Sequence, residues 1–94
     1  MIHPDMEQFL RFVESKRPEQ CYRFSDWDNC ACAQFAEVTC FGIQNWKQAY
    51  ADEDPFWRTA NRLAEDNYDS GHNATFGALA DRVRRYIHTG EIRP

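Results

Sequence analysis

The sequence predicts an all-α fold, a small orthogonal bundle of about five helices in one domain spanning residues 1–94. Two observations carry this expectation. Apolar residues recur at three- and four-residue spacing in separate stretches, and residues with marked capping preferences bracket those stretches. The connections between them are short, so each apolar stripe must find its partner face on a neighbouring helix. Ninety-four residues fill a single core, burying roughly 60–65% of the unfolded chain's surface.

The first helix opens at Pro4, which suits a first turn, with Asp5 and Glu7 near its positive dipole end. Met6, Phe9, Leu10 and Val13 form its apolar face, Lys16 and Arg17 suit its C-terminal end, and Pro18 stops it. Residues 19–24 read as an irregular or extended connection with Tyr22 and Phe24 pinned to the core. A second helix starts near Asp28 or Asn29, both good N-caps, and places Ala31, Phe35 and Val38 on one side. Ala31, Ala33 and Ala36 would let a neighbour approach closely, and Gly42 is the expected terminator. A two-stranded ribbon over 20–24 and 40–44 is a minor alternative for these connections.

A short third helix covers about Gln44 to Tyr50, turning Trp46 and Tyr50 inward. The fourth has the clearest start, with Asp54 as cap and Pro55 at the first position, followed by the stripe Phe56, Ala60, Leu63 and Ala64. Residues 67–73 are polar, contain Gly71 and read as a loop. Thr75 or Asn73 caps the last helix, in which Phe76, Leu79, Ala80, Val83 and Ile87 repeat until Gly90 ends it.

The formal charge of −4 speaks against a general nucleic-acid binder, which would display a basic excess. The charge is also polarised: Asp52, Glu53, Asp54, Glu65, Asp66 and Asp69 make the middle acidic, and Arg82, Arg84, Arg85 and Arg93 make the end basic. Arg82, Arg84 and Arg85 are expected on a solvated helix face. No run approaches the roughly 20 apolar residues of a membrane helix, and the N-terminus lacks a charged-then-apolar leader. The expectation is a cytoplasmic protein.

The residue types present allow four kinds of site. Cys21, Cys30, Cys32 and Cys40 suggest zinc, but a Cys-x-Cys pair is tighter than the usual knuckle, and on a helix the two side chains diverge by about 200°. Reduced thiols serving as small hydrophobes are expected instead. Cys30 at a helix start could be a nucleophile, but Asp26 and Asp28 oppose thiolate formation, and the sequence brings neither His72 nor His88 near it. The carboxylates of Asp26, Asp28, Asp52, Glu53 and Asp54 sit at helix starts, where acids are stabilising without any catalytic role. The stretch 75–87 (TFGALADRVRRYI) looks like the opening helix of a helix-turn-helix, but the seven residues that follow it here cannot form a recognition helix.

Three tryptophans and four tyrosines exceed what a small core easily absorbs, and exposed Trp, Tyr and Arg are common interface anchors. Trp27 between Asp26 and Asp28 cannot be deeply buried unless those acids reach water. Trp57 and Arg58 follow the acidic run Asp52, Glu53 and Asp54. These eight residues are the expected partner-binding surface, with no cofactor, no catalytic residue and no metal ligand assigned. The competing expectation is that all three tryptophans are core.

Residues 22–35 (YRFSDWDNCACAQF), with an Asn-Cys entry into an Ala-rich helix, and the later Thr75-Phe76-Gly77-Ala78-Leu79 resemble stretches of uncharacterised small accessory proteins of bacteria and phages. The resemblance covers about a third of the chain and its motifs are structural. It implies a phage or mobile-element setting, in which acidic proteins of this size inhibit host defence, anti-CRISPR proteins among them. The functional expectation is therefore a non-enzymatic inhibitor that occludes a site on a host protein or ribonucleoprotein complex, without sequence-specific nucleic-acid or membrane binding. The alternative is a zinc- or thiol-dependent structural or regulatory module.

Overall fold

The structure, a computed structural model, describes residues 4–23, 26–65 and 75–92, and these form five α-helices. Helix α1 (Met6–Glu14) is started by Asp5 rather than Pro4. The Asp5 carboxylate accepts from the Gln8 backbone N–H at 2.9 Å, and Gln8 Oε1 accepts from the Asp5 N–H at 3.0 Å, a reciprocal capping box. Phe9, Phe12 and Val13 are buried, with Met6 and Leu10 at the edge. The helix ends at Ser15, whose hydroxyl donates to the Phe12 carbonyl at 2.6 Å. Lys16, Arg17 and Pro18 therefore lie beyond it, and Lys16 Nζ rests 5.3 Å from the centre of the Phe12 ring.

Helix α2 (Ala31–Val38) begins later than Asp28 or Asn29 because residues 26–30 close a turn first. In that turn the Cys30 N–H donates to the Asp26 carbonyl at 2.8 Å. Cys30 is the cap, its Sγ accepting from the Ala33 N–H at 3.4 Å. Ala31, Cys32, Ala33, Phe35 and Ala36 are all buried, so the first turns of α2 are enclosed nearly all round. Val38 departs from the expected stripe and is 61% exposed, since it lies in the last turn where little covers it. The terminator is Cys40, left-handed at φ 61°, and not Gly42. Gly42, at φ 95°, instead leads the chain into α3 (Ile43–Ala51) while its N–H donates to the Ala36 carbonyl at 2.9 Å.

Helix α4 (Pro55–Ala64) starts as the sequence predicts, with an Asp54 carboxylate oxygen accepting from the N–H groups of Phe56 and Trp57 at 3.0 and 3.3 Å. Its buried face is Trp57, Ala60, Leu63 and Ala64, while Phe56 is only half-buried. Helix α5 (Phe76–Thr89) is capped by Thr75, whose hydroxyl accepts from the Ala78 N–H at 3.2 Å, and ends at left-handed Gly90. Phe76, Leu79, Ala80 and Val83 are buried, and Ile87 lies beyond the core at 38% exposed. The Asn73 alternative, the loop 67–73 and Phe24 lie outside the described residues.

The helices meet around aromatic rings. Phe35 of α2 contacts Phe9 and Phe12 of α1, and Phe56 and Trp57 of α4, at centroid distances of 5.2, 5.5, 6.1 and 6.0 Å. Helix α5 packs mainly against α1. The alternative ribbon over 20–24 and 40–44 is absent among the described residues, because α3 already begins at Ile43. Cys21 instead forms a single antiparallel bridge with Thr75. The N–H groups of Phe76 and Gly77 donate to the carbonyls of Gln20 and Pro18 at 2.8 and 2.9 Å, strapping residues 18–22 over the start of α5.

Arg82 corrects the expectation of a solvated basic face: it is only 4% exposed. Its Nε donates to the Leu63 carbonyl at 2.7 Å and its Nη2 to the Tyr22 hydroxyl at 3.0 Å. The Tyr22 hydroxyl in turn donates to the Ala64 carbonyl at 2.6 Å. One guanidinium and one phenol thus satisfy the C-terminal carbonyls of α4 from inside the fold.

Two stability predictions follow from these contacts. A Cβ on Gly77 would stand 2.9 Å from the Cβ and the carbonyl oxygen of Pro18, and 3.1 Å from its Cα. Alanine would gain about 1 kcal/mol of helix propensity, but overpacking against backbone costs about 1–3 kcal/mol. Gly77→Ala should therefore lower the urea midpoint with the slope m unchanged; a raised midpoint would show that the strap yields freely. Tyr22→Phe removes the hydroxyl shared by Arg82 and Ala64 and should cost about 1–3 kcal/mol, read as a lower Tm.

Candidate binding face around the third helix

Helix α3 places Trp46 and Tyr50 one turn apart on the same side. Trp46 is fully buried, and Trp27 stacks on it with centroids 5.3 Å apart and planes inclined by 24°. The Trp46 Nε1–H donates to the Trp27 carbonyl at 3.4 Å, fixing the backbone beneath the exposed ring. Trp27 also meets the Tyr50 ring edge-on at 5.2 Å. Its indole nevertheless remains 46% exposed. It is a large ring held by two neighbours, Trp46 on one face and Tyr50 at the edge, with its remaining surface towards water.

Its acidic neighbours are held as well. The Asp26 carboxylate accepts from the Asp28 backbone N–H at 3.0 Å and from Asn29 Nδ2 at 3.1 Å. The Asn29 hydrogen bond, followed by that from Asp28, keeps the Asp26 carboxyl below its ordinary pKa. Asp28 pairs with Lys47 of α3 at 2.8 Å, but both side chains reach solvent, so the pair contributes about 0–1 kcal/mol. Its value is geometric, since it ties the Trp27 turn to the middle of α3.

The far end of α3 carries the second acidic group. Asp52 is exposed and accepts from Gln48 Nε2 at 3.1 Å, and Glu53 is exposed at φ 62°. Asp54 is committed to capping α4. Arg58, one turn into α4, lays its guanidinium over the Tyr50 ring at 4.0 Å. Tyr50 therefore joins Trp27 on one side to Arg58 on the other, so the two halves of the expected surface, far apart in sequence, meet across α3.

Trp57 does not belong to this surface. It is fully buried, packed against Phe41, Trp46 and Phe56 at 5.1, 5.4 and 5.0 Å. Trp57 shares a helix face with Ala60 and Ala64, and Phe41 and Trp46 cover that face, whereas Arg58 lies about 100° further round. Its Nε1 has no hydrogen-bond partner among the described residues. Sequence reasoning missed the bridging roles of Trp46, Lys47 and Tyr50. The four-residue spacing of Trp46 and Tyr50 was a readable signal; the stacking of Trp27 on them was not.

The cysteines do not converge. Cys30 and Cys32 are buried, while Cys21 and Cys40 are exposed. Among the described residues no three His, Cys, Asp or Glu side chains come close enough to hold a metal ion. Burial raises the Cys30 thiol pKa against the opposing Ala33 N–H, and burial raises that of Cys32 well above the ordinary range, with Cys30 adding to it. Neither is an activated nucleophile. His88 is exposed on α5, and His72 lies outside the described residues. No family model, curated protein or solved structure matches the chain.

The thiols generate a pH prediction. A thiol whose pKa is raised on folding stabilises the fold fully below the unfolded value of about 8.5. That contribution is lost as pH climbs towards the folded value, because the unfolded chain releases its proton first. Stability should therefore fall above about pH 8.5, and a Cys30→Ser, Cys32→Ala variant should flatten the decline in urea titrations. In the folded protein a thiol reagent should label Cys21 and Cys40, with Cys30 and Cys32 reacting only in denaturant.

Proposed function

We propose that this chain is a non-enzymatic, protein-binding inhibitor of the anti-defence class, encoded by a phage or mobile element, that occludes a site on a host protein or ribonucleoprotein complex. The observation that supports binding is Trp27, a half-exposed indole already immobilised by Trp46 and Tyr50. Burying a free tryptophan in an interface costs rotamer entropy, roughly 0.5–1.5 kcal/mol for each immobilised side chain. Here that ordering has occurred on folding, which is the property of an interface anchor.

Around the anchor the charged groups are mainly acidic: half-buried Asp26 and exposed Asp28, Asp52 and Glu53, with half-buried Arg58 at the edge. Such a rim suits a partner surface rich in Lys and Arg, including one that receives phosphates, and steers the encounter at long range. The same charge disfavours direct nucleic-acid binding. No described helix is long and apolar enough to cross a membrane. The anti-defence setting rests on the resemblance carried by residues 22–35 and 75–79.

The test is capture from bacterial lysate at moderate salt on immobilised chain. The expected outcome is one partner retained near equimolar ratio by wild type, with retention at least tenfold weaker for a Trp27→Ala, Asp28→Ala double variant of unchanged circular dichroism. No retained partner, or equal retention by both proteins, overturns the proposal.

A further inference from the structure

Between Tyr50 near the end of α3 and one face of α4 lies a cleft of about 330 Å³ lined by Tyr50, Arg58, Asn61, Arg62 and Glu65. Arg58 and Arg62 stand one helical turn apart and project along the same side of α4. Neither guanidinium forms an ion pair with a described residue. This distinguishes them from Arg84, which is paired with Glu14 and Asp81, and from Arg82, which is spent on backbone carbonyls.

Arg58 carries a further mark. Its Nε is sealed from solvent and has no hydrogen-bond partner among the described residues, while its guanidinium carbon lies 4.0 Å from the centre of the Tyr50 ring. Because Nε is enclosed, the two Nη groups are the donors of the fork left to meet an oxyanion, and together they can hold one end-on. The Asn61 amide adds a neutral donor on the same wall.

From these features we infer that the cleft receives a carboxylate, namely an Asp or Glu side chain presented by the protein partner. This deepens the binding reading above and rests on it. The charge balance selects the anion. Two guanidiniums and the Glu65 carboxylate leave the cleft with one net positive charge, which a monoanionic carboxylate neutralises. A phosphate dianion would meet Glu65 with its second charge. The partner surface is therefore of mixed character, basic opposite Asp26, Asp28, Asp52 and Glu53, with one acid opposite Arg58 and Arg62.

The experiment reads the Arg58 Nε–Hε resonance by proton–nitrogen NMR, titrating the isolated chain at constant ionic strength. The probes are N-acetylglutamate α-amide, N-acetylglutamine α-amide and inorganic phosphate. The expected result is a saturable shift in the millimolar range with the glutamate probe and none with the glutamine probe. Arg62→Gln, an exposed substitution that leaves the fold intact, should weaken the glutamate response at least fivefold. No saturable shift, or an unchanged response in Arg62→Gln, overturns the inference; a phosphate response equal to or stronger than that of glutamate overturns the carboxylate assignment. If the titration fails while Trp27-dependent capture persists, only the cleft inference falls. If the titration succeeds and no partner is captured, the carboxylate assignment stands and the reading of a protein partner falls.

Discussion

The fold depends on one ring. Phe35 stands where α1, α2 and α4 come together and touches Phe9, Phe12, Phe56 and Trp57. It can do so because α2 has little else to bury: Ala31, Ala33 and Ala36 let the neighbouring helices close to the backbone. Each tilted or edge-on aromatic contact contributes about 0.5–1.5 kcal/mol beyond the area it removes from water. A short helix of eight residues, unstable alone, is thereby held by its surroundings.

The aromatic cluster explains a buried defect. Trp57 Nε1 lacks a partner among the described residues, a cost of about 1–3 kcal/mol. Burying an indole removes roughly 150–250 Å² from water, which at about 25 cal/mol per Å² is worth about 4–6 kcal/mol. The packing term exceeds the polar cost, so the unsatisfied N–H is tolerated. Arg82 shows the opposite solution. Its charge is as enclosed as a core side chain, but Leu63 and Tyr22 accept its donors. One site offsets a missing bond with buried area; the other is stabilised by hydrogen bonds from its guanidinium to Leu63 and Tyr22.

What the sequence revealed follows the range of the forces involved. Capping is local, and so Asp54-Pro55, Thr75 and Gly90 were legible, each acting within one turn. The five-helix fold follows from those stops and the apolar stripes between them. Face assignment is less local. Phe56 and Trp57 are adjacent aromatics on α4, either able to lead a stripe, and only the presence of Phe41 and Trp46 beside Trp57 decides between them. Arg82 sits within the Leu79 to Val83 stripe, a position that itself signalled burial, but its partners are 19 and 60 residues away in sequence. Of the expected surface, Trp27 and Asp28 are exposed as read, whereas Arg58 is half-buried against Tyr50. Their meeting across Tyr50 depends on tertiary packing that no spacing rule contains.

That packing also links the interior to the proposed face. Trp27 stacks on Trp46, Trp46 packs on Trp57, and Trp57 touches Phe35, so an unbroken series of rings runs from the exposed anchor to the centre of the bundle. Arg58 joins this series through Tyr50, which contacts Trp46. Rotation of Trp27 away from its seat would expose the face of Trp46 and open the contact with Tyr50, so the ring has little freedom of its own. A surface residue restrained through the core acts as a rigid anchor, and its contribution to binding is not diminished by disorder in the free state. Aromatic residues in excess of what the core needs are therefore not misplaced. The buried ones hold the exposed one in position.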